Sequence, residues 1–135
     1  MNENLQRVID LLDATNLFYI ATVDKDNQPR IRPFGNAMVY KDRLYICTAK
    51  NKAVGEQIKL NNKVELCVFR DGDWVRITGE VFEDDDREAR ALMLKKNPLM
   101  RNLYNEDDGI FEVLYFKKAI VSVNSFYKDT EYFEI

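Results

Sequence analysis

The chain has 135 residues, a net charge of −3 and a pI near 5.1, with 46% apolar and 32% charged residues. That is one domain's length, able to bury roughly two-thirds of its unfolded surface without disulfides or metal, and its acidic balance argues against a dominant nucleic-acid or anionic-membrane surface. It has no histidine, its two serines (Ser122, Ser125) form no GxSxG turn, and its two cysteines (Cys47, Cys67) form no CxxC pair, which excludes Ser-His-Asp and Cys-His machinery and four-ligand zinc sites and leaves any hard chemistry to an organic cofactor.

The N-terminal MNENLQRVIDLL is polar and acidic rather than a leader, and no run approaches the roughly 18 apolar residues of a membrane span. A cytoplasmic protein with reduced thiols is expected. Over residues 3–14, Leu5, Val8, Ile9 and Leu12 repeat at helical spacing. LFYIATV (17–23) is a strand ending at the turn-forming DKDNQP, and RIRPFGNAMVY (30–40) resumes as one strand in which Pro33 and Gly35 require an edge, a bulge or a ligand near the backbone. A KDR turn leads to the strand LYICTA (44–49), and residues 51–60 follow as a short helix capped by Asn51.

KVELCVF (63–69) and WVRITGEVF (74–82) flank a DGD hairpin turn. EDDDREARALMLKKNP is a helix with carboxylates first, lysines last and Pro98 as its stop, and another helical turn or two covers residues 99–104. FEVLYFKKAIVSVNSF (111–126) is a long strand, and DTEYFEI supplies a short last one. About six strands and three helices in one domain predict a mainly β, α+β fold, an antiparallel six-stranded sheet closed into a barrel with flanking helices.

Charge is unevenly placed: residues 24–63 carry nine bases and four acids inside an acidic chain. A solvated Lys/Arg face is the plainer reading of this window, and a local anion site is the sharper one. Strand alternation puts Arg30, Arg32, Phe34 and Asn36 on one face and mostly apolar Ile31, Ala37 and Val39 on the other. Arg32 can grip a phosphate with a bidentate fork, Thr48 can donate its hydroxyl, and Lys52 adds charge at a helix start, so the three could converge on one phosphate. Trp74 shares a strand face with Arg76 and Thr78 and could flank a planar ring or simply cap the barrel core.

In this order, the strand start Pro29 to Arg32 (P-x-x-R), the strand end Tyr45 to Thr48 (Y-x-x-T), the helix start NKA (51–53) and the GEV (79–81) after the hairpin make the chain resemble the pyridoxamine 5′-phosphate oxidase-like family of FMN-binding split barrels. The resemblance spans roughly residues 10–125. It implies a split barrel and a homodimer with FMN at its interface. It further implies that Arg32 and Lys52 hold the FMN phosphate, helped by Thr48 and Asn51, with Lys50 as a further phosphate neighbour. Pro33 and Phe34 would run beneath the isoalloxazine, and Trp74 would contact the ring. The oxidase that names the family uses tryptophan, arginine and histidine residues in a longer C-terminal region, so pyridoxamine phosphate is not the expected substrate of a chain without histidine.

The implied activity is FMN-dependent hydride transfer to or from a small molecule, with Arg30, Tyr45 and Arg76 as pocket-lining candidates and no general acid or base named. The alternative from another class is a flavin-binding or redox-sensing module without turnover. A barrel holding haem or a deazaflavin is a third reading, haem being disfavoured by the missing histidine.

Overall fold

The computed structural model describes residues 1–135. The elements run α1 (Glu3–Thr15), β1 (Phe18–Val23), β2 (Pro29–Phe34), β3 (Ala37–Tyr40), β4 (Arg43–Ala49), α2 (Ala53–Leu60), β5 (Lys63–Arg70), β6 (Asp73–Glu83), α3 (Arg87–Lys96), a 3-10 turn (Pro98–Asn102), β7 (Phe111–Asn124) and β8 (Glu131–Glu134). Asn2 caps α1 by accepting a hydrogen bond from the Leu5 amide at 2.7 Å, and the helix buries Leu5, Val8, Ile9 and Leu12. Asn16 ends it in a left-handed conformation that asparagine tolerates. The two-residue turns Lys41–Asp42 and Asp71–Gly72 have positive φ at both positions, the twist that suits tight hairpins.

The strands form one antiparallel sheet ordered β2-β1-β5-β6-β7-β4-β3, with β8 added on β7. The expected single strand over 30–40 is two strands, broken at Gly35–Asn36, and the C-terminal strand is real, so the count is eight rather than six. The break matters because β2 and β3 are the opposite ends of the sheet. A two-residue link cannot span a flat sheet of this width, so the sheet curls until its edges meet at that corner. No ladder bonds join β2 to β3, so the sheet is not closed and the barrel is split, as the family resemblance implies. An edge position also explains how β2 accommodates Pro33, which has no N–H to donate.

The main core fills the barrel with residues of α1, α2 and the inner strand faces, among them Phe18, Ile20, Leu44, Ile46, Val54 and Ile58. A second core on the opposite face of β4 joins Tyr45 and Cys47 to Ala89, Met93 and Leu94 of α3. β4 is therefore buried on both faces, which is why LYICTA reads as a continuous apolar run rather than an alternating one. Asp86 caps α3, accepting from the amides of Glu88 (2.9 Å) and Ala89 (3.4 Å). No side chain caps α2: it starts at Ala53 with Lys52 in the cap position, so Asn51 is not the cap expected of it. α2 lies close against the end of β4, where a Cβ on Gly55 would stand 2.4 Å from the Ala49 carbonyl oxygen.

Strand alternation groups the β2 residues as expected but turns the faces over. Arg32 pairs with Ile20 and Phe34 with Phe18, both core residues, so Arg32 and Phe34 face inward. Ile31 faces solvent and is 69% exposed. The outer face of β2, β1, β5, β6 and β7 thereby carries exposed Ile31, Tyr19, Phe69 and Ile120 beside Trp74. No helix is long and apolar enough to cross a membrane.

Candidate functional site

At the corner between β2 and β3 the structure leaves a cavity of about 220 Å³. Five of the eight residues singled out from sequence line it: Arg32, Pro33 and Phe34 from β2, Thr48 near the end of β4, and Lys52 at the head of α2. The end of the sheet, the split and the uncapped helix start thus meet at one place. Gly35, Asn36, Cys47, Val54, Met100 and Tyr104 complete the wall.

Arg32 is half-buried. Its Nη1 donates to Thr22 Oγ1 at 2.7 Å and, more weakly, to the Ile20 carbonyl at 3.3 Å, while Nη2 donates to Gln57 Oε1 at 2.7 Å. The Thr22 hydroxyl donates in turn to Gln57 Oε1 at 2.6 Å. No carboxylate lies within salt-bridge distance of Arg32 or of Lys52. Burial lowers the pKa of Arg32 from its ordinary value, and the neighbouring Arg30 cation lowers it further. A cation without a carboxylate partner and partly withdrawn from water is an environment that favours an anionic ligand. Thr48 is 7% exposed and stands where its hydroxyl can reach the same space. Burial pushes the Cys47 thiol up to about 12, so this wall of the cavity is an inert thiol rather than a thiolate.

Three of the eight lie elsewhere. Asn51 is exposed in the turn before α2 and lines no part of the cavity. Lys50 is ion-paired to Glu83 at 3.2 Å and lines a separate cavity of about 500 Å³ with Glu112, on the β6–β7 side of α2. Trp74 sits on the outer sheet face, its ring 5.0 Å from that of Phe126, three strands away from β2. A single copy of the chain does not bring the indole to Arg32.

The pocket-lining candidates are also engaged elsewhere. Arg30 pairs with Asp24 at 3.0 Å, and Arg76 forks onto Glu65 at 3.0 and 3.2 Å. Tyr45 is buried on the α3 side and donates to Asp84 at 2.7 Å; burial, then the bond to Asp84, raises its pKa well above the usual range. Sequence reasoning missed Thr22 and Gln57. Thr22 carried a usable signal, being the one polar residue among the inward positions of β1. Met100 and Tyr104, in and just after the 3-10 turn, carried none.

A family profile described as pyridoxamine 5′-phosphate oxidase matches residues 5–123. A NimC/NimA family protein from Clostridium acetobutylicum is 39% identical, with a TM-score of 0.89 over 97% of this chain and 92% of that one. A pyridoxamine 5′-phosphate oxidase-related, FMN-binding protein from Nostoc punctiforme shares the fold at 12% identity, with a TM-score of 0.67 over 100% of this chain and 98% of that one. A heme-binding protein from Mycobacterium smegmatis shares it at 14% identity, with a TM-score of 0.76 over 98% of this chain and 58% of that one. No protein with a curated description matches the chain by sequence.

Proposed function

The chain belongs to the pyridoxamine 5′-phosphate oxidase family, and from that membership we propose that it binds FMN at the β2–β3 corner and acts as an FMN-dependent oxidoreductase on a small planar or carbonyl-bearing molecule. The observation that carries the reading is the convergence of two cations without carboxylate partners, Arg32 and Lys52, with Thr48 on one cavity. Those residues fit a flavin phosphate: a dianion would meet a guanidinium fork, an ammonium, a hydroxyl and the uncapped first turn of α2. Asn51, in the turn just before Lys52, would add a donor at its rim, whereas Lys50 is held by Glu83 on the other side of α2.

Pro33 and Phe34 would support the isoalloxazine, largely through their backbone. When bound, FMN supplies hydride-level redox chemistry, and the protein supplies its position, its electrostatic setting and shelter from water. The β2 edge and the apolar wall of Met100 and Tyr104 would do the sheltering.

Trp74 would reach the ring only from a second copy. The exposed outer face with Ile31, Tyr19, Phe69 and Ile120 favours a homodimer, since apolar side chains left open on a sheet face mark association surfaces.

The visible absorption spectrum of the purified protein, followed by titration with FMN, tests the reading. Flavin bands and saturable quenching of FMN fluorescence support it. Haem bands, or a colourless protein that leaves added FMN unquenched, overturn it. Anaerobic reduction of the bound flavin by NADH or NADPH, followed by an acceptor screen, separates turnover from a flavin-binding module without activity.

A further inference from the structure

We infer that Thr22 and Gln57 are positioning residues for the phosphate-binding arginine: uncharged acceptors that aim the Arg32 guanidinium into the cavity while leaving its charge free for an anion. The inference rests on the FMN reading above and deepens it.

The chain has nine arginines. Seven of them, Arg7, Arg30, Arg70, Arg76, Arg87, Arg90 and Arg101, stand within 4.0 Å of a carboxylate. Arg43 lies over the ring of Tyr115. Arg32 alone is gripped by neutral side chains at 2.7 Å on two of its nitrogens. Its partners come from β1 and α2, so three elements fix one side chain.

The bonding within the triangle is closed. The Thr22 hydroxyl, 2% exposed, accepts from Arg32 and donates to Gln57 Oε1, and that oxygen also accepts from Arg32. A buried hydroxyl and a half-buried amide oxygen bonded in this way stay where they are, because breaking the Thr22 bonds strands a buried polar group. Of the five guanidinium donors, the two on Nη1 go to Thr22 and, at longer range, to the Ile20 and Arg30 carbonyls, and one on Nη2 goes to Gln57. Nε–H and the second N–H of Nη2 remain, on the edge of the guanidinium that forms a bidentate fork. A glutamate at position 57 would keep the shape and the acceptor but would neutralise the guanidinium and repel a phosphate. An amide there avoids both.

The test compares FMN with riboflavin, which lacks the phosphate, by fluorescence quenching on wild type, Gln57→Glu, Thr22→Val and Thr22→Ser. Wild type should prefer FMN by about tenfold or more. Gln57→Glu should cut that preference about tenfold, with riboflavin affinity within about twofold of wild type and no loss of thermal stability. Thr22→Val should lower the preference less, and Thr22→Ser, which keeps the hydroxyl, should restore it. A folded Gln57→Glu variant that keeps the wild-type preference overturns the inference. Should that variant fail to fold, a Thr22→Val protein with an unchanged preference overturns it instead. A wild type that binds both flavins equally refutes the phosphate reading itself, and a wild type that binds neither refutes the FMN assignment.

Discussion

Replacing Gly55 with alanine tests how closely α2 is held against β4. Intrinsic helix propensity favours the change by about 1 kcal/mol, because glycine loses more backbone entropy on folding than alanine does. The structure opposes it. The new Cβ would lie 2.4 Å from the Ala49 carbonyl oxygen and 3.3 Å from the Lys50 Cα, both main-chain atoms that no rotamer change can move aside. Restoring an ordinary contact of about 3.5 Å requires α2 and the end of β4 to separate by roughly 1 Å. Overpacking of this kind costs about 1–3 kcal/mol, and backbone against backbone belongs at the upper end. With the propensity gain deducted, a net loss of about 1–2 kcal/mol is expected. For a domain of this size that lowers Tm by about 4–8 °C. The assay is a calorimetric melt of the flavin-free protein. A Tm equal to or above that of wild type would mean that propensity wins and that α2 is not seated as described. Since Lys52 rides at the head of α2 and Thr48 near the end of β4, the same variant should also bind FMN more weakly.

Arg32→Ala and Lys52→Ala should each weaken FMN binding by roughly tenfold or more, the worth of one charge-assisted contact; affinities within twofold of wild type for both would refute the phosphate site. Glu112, buried against Glu83, is raised from its usual 4.5 to about 7, by burial first and then by that neighbour. The folded chain therefore holds this proton more tightly than the unfolded chain, and the stability it confers is full below about pH 4.5 and lost as pH rises through 7. Glu112→Gln should gain stability relative to wild type between about pH 5 and pH 8, measured by urea melts at each pH; parallel profiles would refute the raised Glu112 pKa. Asp86→Ala removes the cap of α3 and its bond to Tyr40 and should cost about 1–2 kcal/mol in a denaturant melt. Light scattering should give twice the 15.9 kDa chain mass. Ile31→Glu, which puts a charge on the outer sheet face, should shift the protein toward monomer, and a wild type that is monomeric at all concentrations would remove the shared-site arrangement.

Several parts of the architecture were legible in the chain itself. The helical spacing of Leu5, Val8, Ile9 and Leu12, the hairpin turn at Asp71–Gly72, and the acidic start and basic end of α3 are local signals, because the interactions that produce them span a few residues. The clustering of Arg32, Thr48 and Lys52 was visible for the same reason, since one hairpin and one short connection bring them close. Alternation in β2 likewise determined that Arg32 and Phe34 share a face. It could not say which face, because a period of two is symmetric and only the pairing with β1, placing Ile20 opposite Arg32, turns one side inward. The corner at Gly35–Asn36 was equally undetermined, being set by how far the whole sheet curls. The fate of each cation was decided at long range: Lys50 meets Glu83, 33 residues away, while Arg32 meets only uncharged groups, with Thr22 and Gln57 nearest. Charge that reads alike along the chain is neutralised in one place and kept free in another, because tertiary packing alone determines which groups lose water together.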